Sequence, residues 1–243
     1  MTDRPLPPVA QDLRAYRDVV VVCAHPDDES FGLGAIITTL VDTGTRIRLV
    51  CFTHGEGSTL GAGDDLAARR DDELVCAADV LGVEQVRVHA YPDGTLSQTP
   101  AGRLADEIVT AAADADALLT FDHGGITGHP DHQQATDAAV LAGQRLAVPV
   151  LGWALPKPVA ATLRAEFGAP FVGRDDDQLH IELAVDRARQ YAAMACHGSQ
   201  LTDNTVPHRR IELQGSVEHL RVLHQPTSTN RPSRYQEVAT WMC

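Results

Sequence analysis

Two short clusters of histidine and aspartate have the residue types for chemistry in this sequence. The first, His-Pro-Asp-Asp at residues 25–28, directly follows an apolar run, and the second, His-Pro-Asp-His at residues 129–132, lies shortly after another. In the first cluster, Asp27, Asp28 and Glu29 are adjacent carboxylates that repel one another at the end of a buried strand, where water cannot solvate them all. This density of negative charge predicts a bound cation.

The residue types also indicate which cation is bound and by which ligands. A neutral imidazole with a carboxylate suits Zn²⁺, and three protein ligands with an open fourth position are typical of a catalytic zinc site. We expect His25, Asp28 and His132 to be the ligands, because parallel strands bring their two strand ends together. Fe²⁺ is a second candidate, since it also accepts two histidines and one carboxylate. Asp27 would point elsewhere and stay free to take a proton.

The elements that must position these clusters alternate between short β-branched runs and longer segments of helical period. Strands are expected at 18–24, 46–53, 86–91, 117–122 and 148–155, and helices at 31–44, 64–82, 104–114 and 130–143. This alternation predicts an α/β fold with a doubly wound, mostly parallel, Rossmann-like sheet. In such a sheet ligands bind beyond the carboxyl ends of the strands, and both clusters lie there.

Beyond the core at residues 18–155 the alternation weakens. A helix at 182–198 and an edge strand at 218–224 are still expected. We therefore predict a single domain over residues 1–243, with an irregular C-terminal portion at 156–243.

Composition narrows the class of protein. The chain of 243 residues has 44% hydrophobic residues, enough for a core, and a formal net charge of −13, which argues against nucleic acid or an anionic membrane surface as a partner. Its five cysteines form no Cys-x-x-Cys pair, which favours buried free thiols in a reducing compartment. With no secretory leader pattern and no apolar run long enough for a membrane span, we expect a cytoplasmic protein. The oligomeric state stays open.

The motifs resemble the paired signatures of the LmbE/PIG-L-like zinc-dependent N-deacetylases. That family includes N-acetylglucosaminyl-phosphatidylinositol deacetylases and deacetylases of the mycothiol and bacillithiol pathways. The resemblance is carried by AHPDDE (24–29) and GITGHPDH (125–132), and it extends through RDDELVCAADVLGV (70–83), YPDGTL (91–96) and CHGSQ (196–200).

The resemblance implies roles for individual residues. It implies the same three metal ligands, with Asp27 as general base. It also implies that His129 stabilises the oxyanion while Asp131 orients or tunes it, and that Arg70 and Asp93 contact the sugar. We expect Asp131 to raise the pKa of His129, so that a protonated imidazole faces the oxyanion.

The implied reaction is hydrolysis of the acetyl amide of an N-acetylglucosamine-type conjugate, a small-molecule substrate. Zn²⁺ lowers the pKa of its bound water toward ~7, so that hydroxide is available at neutral pH. Two alternatives stay open: an amidase of a larger acyl or thiol-conjugate amide, and a non-catalytic metal-binding module. A nucleotide-binding Rossmann protein ranks last, because acids occupy the first turn where phosphate would approach.

Some of these residues also have ordinary structural interpretations. Arg70 has the spacing of an exposed helical ion pair with Glu73, and Asp93 is a common turn residue. Glu29 suits the start of a helix, where the macrodipole favours an acid. Functions for three further histidines stay open: His54, His123 and His197.

Overall fold

The computed structural model describes residues 13, 16–61 and 63–226 of the chain. Within them an eight-stranded sheet is flanked by helices on both faces. The strands are β1 (Asp18–Cys23), β2 (Arg46–Cys51), β3 (Gln85–Val88), β4 (Ala117–Phe121), β5 (Val150–Pro156), β6 (Gly173–Arg174), β7 (Ile181–Ala184) and β8 (Val217–His224). The helices are α1 (Asp28–Phe31), α2 (Gly34–Asp42), α3 (Leu66–Leu81), α4 (Ala101–Ala111), α5 (Gly125–Gly128), α6 (Pro130–Leu146), α7 (Lys157–Phe167), α8 (Ala188–Cys196), α9 (Gly198–Leu201) and α10 (Val206–Gln214).

The strand order confirms the doubly wound, mostly parallel sheet. The order is β3-β2-β1-β4-β5-β8-β7, with β6 paired to β5 outside this path. Strands β1 to β5 are parallel to their neighbours, whereas β8 is antiparallel to β5 and to β7. The chain reverses its direction of winding at β1, so that β1 and β4 become neighbours although they are distant in sequence. The carboxyl ends of these two strands therefore meet.

The alternation of side chains explains why β1 is apolar from Val19 to Cys23. Val19 and Val21 pack into the core on one face of the sheet, and Val20 and Val22 pack into a second core on the other. Successive side chains of a strand point to opposite faces, so a strand covered by helices on both sides has no position for a polar residue. The apolar run ends at Ala24, and His25, the next residue, is the first that belongs to the candidate metal group.

The expected irregular C-terminal portion is more regular than the sequence indicates. Strand β8 lies between β5 and β7 and is therefore not the edge strand that we expected. The helix expected at 182–198 begins only at Ala188, because residues 181–184 pair with β8 as strand β7. Sheet pairing here outweighs local helical preference. Helix α7 was not predicted from the sequence. Its Pro158 lies in the first turn, a position where proline is well tolerated.

The expectation of free cysteines is wrong for one pair. Cys76 of α3 and Cys196 of α8 form a disulfide, with a Cα–Cα distance of 5.9 Å and 120 residues between them in sequence. That separation hides the pairing in the sequence, since only the packing of α3 on α8 brings the two cysteines together. Cys23 and Cys51 are buried free thiols as expected, and Cys243 lies outside the described residues.

The length and apolar character of a helix decide whether it can cross a membrane. Among the described residues, no helix is both long enough and apolar enough to cross a bilayer.

The disulfide predicts a simple thiol count. Bridging two of the five cysteines leaves three that react with a thiol reagent in denatured, unreduced protein, and reduction should expose all five. The double variant Cys76→Ser, Cys196→Ser should lose about 2–4 kcal/mol of unfolding free energy, because its unfolded chain is no longer constrained. Denaturant titration with and without reductant measures this, and the double variant should not respond to reductant. Five reactive thiols before reduction would contradict the bridge.

Candidate active site

The two His-Pro-Asp clusters meet where the sheet topology places them. His25 follows β1, and His132 lies in the first turn of α6, shortly after β4. Their rings approach with Nδ1 of His25 3.1 Å from Nε2 of His132. Asp28 completes the group, with its Oδ1 3.1 Å from Nε2 of His132 and its Oδ2 3.9 Å from Nδ1 of His25. All three side chains are buried or nearly so.

The outer ring nitrogens determine what the two inner nitrogens can do. Nε2 of His25 lies 3.0 Å from Oδ1 of Asp93 and donates to it. Nδ1 of His132 lies 3.1 Å from the carbonyl oxygen of Gly125, which only accepts. Each neutral ring therefore carries its proton on the outer nitrogen and presents a lone pair inward. Two lone pairs at 3.1 Å repel unless a metal ion or a proton lies between them.

The donor set fits a metal ion. Ligands at 2.0–2.1 Å from a tetrahedral zinc are separated from one another by about 3.3 Å, close to the 3.1, 3.1 and 3.9 Å that separate these atoms. The outer hydrogen bonds to Asp93 and Gly125 are the kind that orient metal-bound histidines. His25, Asp28 and His132 can thus hold a metal ion.

The electrostatics of the group point the same way. Burial by itself would lower the pKa of His25, but hydrogen bonds to Asp131 and Asp93 outweigh it and raise that pKa to about 10. Burial opposes ionisation of Asp28, yet His132 and His25 hold its pKa well below the usual range. Its Oδ2 also accepts the backbone N–H groups of Ala24 and His25, both at 3.0 Å. The site is built to hold positive charge.

Asp27 is held apart from the three ligands by its backbone. Its φ of 118° lies in the left-handed region, which is strained for a residue with a side chain. Its backbone N–H donates to Oε2 of Glu29 at 2.9 Å, and its Oδ2 accepts from Nη2 of Arg70 at 3.0 Å. Burial raises the pKa of Asp27 to about 6, against the attraction of Arg70 and with help from the charge of Asp28. It can therefore take and return a proton near neutral pH.

Arg70 is not the exposed helical residue that its spacing with Glu73 suggested. It is 3% exposed and donates to the carbonyl oxygens of Gly55, at 2.6 Å, and Pro26 as well as to Asp27. Glu73 instead accepts from Ser199. Arg70 lines the cavity described below, but two of its three hydrogen bonds go to the loop that carries Asp27. Its contact with a sugar stays a prediction.

His129 lies beside the ligand group as a separate ring. Its centroid is 5.0 Å from that of His25 and 4.9 Å from that of His132. Its Nδ1 accepts the backbone N–H of Asp131 at 3.2 Å, so the neutral ring carries its proton on Nε2. Burial lowers the pKa of His129, and the nearby rings of His132 and His25 lower it further. The charge of Asp131 raises this pKa as expected, but burial and the two rings outweigh it, so the expectation of a protonated His129 is wrong.

The carboxylate of Asp131 is directed elsewhere. It is fully buried and accepts the backbone N–H groups of Gly94, at 2.8 Å, and Leu96, at 3.0 Å. Its Oδ2 also lies 3.4 Å from Nε2 of His25. Asp131 thus ties the loop after β3 to the start of α6, and its hydrogen bond to His129 comes from its backbone N–H. Asp93, in that same loop, joins it in orienting His25, which is more than a turn residue does.

Comparison with known proteins decides the family. Residues 20–142 match the family model PIG-L, GlcNAc-PI de-N-acetylase. The chain belongs to the PIG-L family. A relative in Mycolicibacterium gilvum, 1D-myo-inositol 2-acetamido-2-deoxy-alpha-D-glucopyranoside deacetylase, is 31% identical over 76% of this chain and 81% of its own length.

Solved structures show the same fold. The zinc-inhibited form of teicoplanin deacetylase Orf2 superposes with a TM-score of 0.67 at 19% identity, covering 84% of this chain and 97% of that one. GalB of Pseudomonas putida, a 4-carboxy-2-hydroxymuconate hydratase, superposes with a TM-score of 0.62 at 18% identity, covering 89% of this chain and 100% of that one. Since a hydratase shares the fold, the site residues rather than the fold must carry any argument about the reaction.

Sequence reasoning missed a buried pair in this PIG-L member. Glu29 is fully buried, and its Oε1 lies 2.7 Å from Nε2 of His197, which is also fully buried. Ser30 donates to the same oxygen at 2.6 Å. Because Glu29 also accepts the N–H of Asp27, the pair supports the strained backbone of that residue. The signal in the sequence was the His of CHGSQ, which spacing alone does not link to Glu29.

The group opens into a cavity of about 560 Å³. Of the site residues predicted from sequence, all but Asp131 line it, namely His25, Asp27, Asp28, Arg70, Asp93, His129 and His132. The three histidines left open are not among its lining residues: His54 pairs with Asp71 at 2.8 Å, His123 pairs with Asp137 at 3.3 Å, and His197 pairs with Glu29. The cavity has the size of a small-molecule site.

The arrangement predicts how single variants change metal content. His132→Ala should abolish stoichiometric metal binding, because it removes one of three ligands, whereas His129→Ala should bind about one metal per chain. Elemental analysis after dialysis measures both, with His123→Ala as a control for removal of an imidazole near the site. Loss of metal in His129→Ala with retention in His132→Ala would reverse the assignment. Circular dichroism should show both variants folded.

Proposed function

We propose that the protein is a zinc-dependent N-deacetylase that hydrolyses the acetyl amide of an N-acetylglucosamine-type sugar conjugate. The observation that carries the proposal is the inward pair of ring nitrogens with Asp28, beside an Asp27 that binds none of them and has a pKa near neutrality. The deacetylase names of its relatives support the substrate class. A structural metal site would be closed and would have no use for Asp27.

In this proposal the chain's own residues move the protons. A bound Zn²⁺ would supply Lewis acidity for the amide carbonyl and hydroxide at neutral pH. Asp27 accepts the proton of the attacking water and returns it to the nitrogen as the C–N bond breaks, which leaves acetate and a free amine. Nε2–H of His129 donates to the oxygen of the tetrahedral intermediate. Arg70 keeps the carboxylate of Asp27 aimed at the reacting water.

The ligand set admits either zinc or iron, and we propose zinc. Two imidazoles and one carboxylate suit both Zn²⁺ and Fe²⁺, and the teicoplanin deacetylase with the same fold has been crystallised in a zinc-inhibited form, so the reaction of this protein with each metal must be measured. Metal-free protein reloaded with Zn²⁺ or with Fe²⁺ under anaerobic conditions, at one equivalent each, separates the two. Amine release from N-acetylglucosamine conjugates in the zinc sample supports the proposal, and its restriction to the iron sample would refute zinc.

The remaining proposals concern organisation and location. We propose that residues 1–243 are one domain, supported by strands β7 and β8, which extend the same sheet as the core. We also propose a cytoplasmic location, supported by the two buried free thiols. Because disulfides are rare in reducing compartments, a Cys76–Cys196 bridge that persists in the cell would contradict this location. Cell fractionation with rapid thiol trapping tests the location and the bridge together.

Removal of the proposed base should separate catalysis from metal binding. Asp27→Asn preserves shape and should lower kcat by about 10²–10⁴-fold at unchanged metal content. In the unchanged protein, activity should fall as pH falls through the pKa of Asp27, at or below about pH 6, because only the carboxylate accepts a proton and a bound cation favours it. Asp137→Asn, on the far side of α6, is the control. Loss of metal in Asp27→Asn would make Asp27 a ligand.

The neutral state of His129 predicts which replacement preserves activity. His129→Ala should lower kcat by about 10²–10³-fold at unchanged metal content. His129→Gln should recover part of this loss, because its amide N–H can still donate to the oxyanion, and its pH–rate profile should keep the alkaline limb of the unchanged protein. Steady-state kinetics across pH measure both variants. If Gln is as poor as Ala and the alkaline limb disappears, His129 acts as a protonated acid.

A further inference from the structure

The cavity has two sides of different chemistry, and the sheet order arranges them in a line. Gly57 and Ser58 follow β2 and Asp93 follows β3, so the hydrogen-bonding side lies over that end of the sheet. The metal ligands follow β1 and β4 at the centre. Strand β5 comes next in the order β3-β2-β1-β4-β5. A group bound at the end of β5 therefore lies on the opposite side of the metal group from the polar side of the cavity.

That far side is apolar and begins at a metal ligand. The ring of Phe121, the last residue of β4, meets the ring of His132 edge to face at 4.9 Å. Trp153 is the register partner of Phe121 on β5, and the two ring centroids are 5.1 Å apart. The apolar side chains of this side, which we call the acyl chamber, are Phe121, Trp153, Ile126, Ala169, Phe171 and Val206, and Arg210 also lines the cavity beside Trp153.

A buried ionic network fixes the wall of the acyl chamber. The indole N–H of Trp153 donates to Oε2 of Glu218 at 2.6 Å, and Oε1 of Glu218 accepts from Arg210 at 2.7 Å. The guanidinium of Arg210 lies 5.0 Å from the centre of the Trp153 ring. Glu218 and Arg210 are 0% and 3% exposed. The network therefore fixes the ring of Trp153, and Glu218 neutralises the guanidinium that borders the acyl chamber.

The geometry of amide hydrolysis assigns an occupant to this space. The carbonyl carbon lies at the metal group and carries two substituents, the amine and the acyl chain. Asp27 must reach the amine to protonate it, and Arg70 holds Asp27 on the side of the loop after β2, through the carbonyl of Gly55. The sugar therefore extends toward Asp93, and the acyl chain extends the other way, past His132 toward Phe121. An acetyl group has only one methyl beyond the carbonyl carbon and would fill little of this space.

We propose that the acyl chamber selects apolar acyl groups larger than acetyl, so that the protein cleaves amino-sugar amides of chains such as butanoyl to hexanoyl in preference to acetyl. The inference rests on the proposed function, whose amide hydrolysis it retains. Water adds to the carbonyl carbon, the C–N bond breaks, and the products are the longer carboxylate and the free amine. Each buried methylene of such a chain gains favourable transfer from water.

The test compares acyl length at constant sugar. Amine release is measured from the methyl glycosides of N-acetyl-, N-butanoyl- and N-hexanoyl-glucosamine with the zinc-loaded protein. We expect kcat/KM for the hexanoyl amide to exceed that for the acetyl amide by about tenfold or more. Faster cleavage of acetyl than of both longer amides would overturn the chamber while leaving the proposed function intact. No cleavage of any of the three would refute the proposed function itself.

A filling variant locates the chain. Ala169→Phe narrows the acyl chamber at a half-buried loop position and should lower the ratio of hexanoyl to acetyl kcat/KM about tenfold. Ala161→Phe, on the exposed side of α7 and outside the cavity, is the matched control and should leave the ratio unchanged. The same variants are assayed on 4-nitrophenyl and methyl N-acetylglucosaminides. If Ala169→Phe changes that aglycone ratio but not the acyl ratio, the chamber holds the aglycone and the proposal is wrong.

Discussion

The repulsion between two inward ring nitrogens is the constraint around which the site is arranged. Nδ1 of His25 and Nε2 of His132 face each other at 3.1 Å, and each outer nitrogen is committed to an acceptor. Without positive charge between them this geometry is unfavourable, and with it the two lone pairs and Asp28 become a ligand set. The neighbouring carboxylates Asp93 and Asp131 also stabilise positive charge in this buried group.

The placement of the base depends on a second, local constraint. A residue at φ 118° returns to an ordinary backbone unless its surroundings hold it. Glu29 holds the N–H of Asp27, His197 and Ser30 hold Glu29, and Arg70 holds the carboxylate. Buried polar groups outside the set of three metal ligands thereby hold the strained backbone of Asp27 in place. Asp27 is kept out of the ligand group although it is a sequence neighbour of Asp28, which is what allows two adjacent aspartates to have opposite pKa shifts.

The sequence predicted that His25, Asp28 and His132 come together, because that prediction needed only order and topology. A strand that is apolar on both faces must be central, and a change of winding brings the ends of β1 and β4 together. The sequence could not predict the protonation state of His129, since that state depends on which backbone N–H donates to its Nδ1. The Cys76–Cys196 bridge and the Glu29–His197 pair link elements more than a hundred residues apart in sequence. Such contacts are set by helix packing, and periodicity contains no information about them.

The C-terminal residues that looked irregular in sequence give the site its asymmetry. Strand β8 brings Glu218 beneath Trp153, and α10 brings Arg210 over the same ring. Both lie beyond residue 142, where the match to the family model ends. The metal group and its base therefore belong to the part of the chain that the family model covers, whereas the network behind the apolar wall belongs to the part that it does not. A fold that keeps its reaction at the ends of β1 and β4 can change its substrate by changing what packs against β5, and in this chain the packing is aromatic on one side of the metal group and polar on the other.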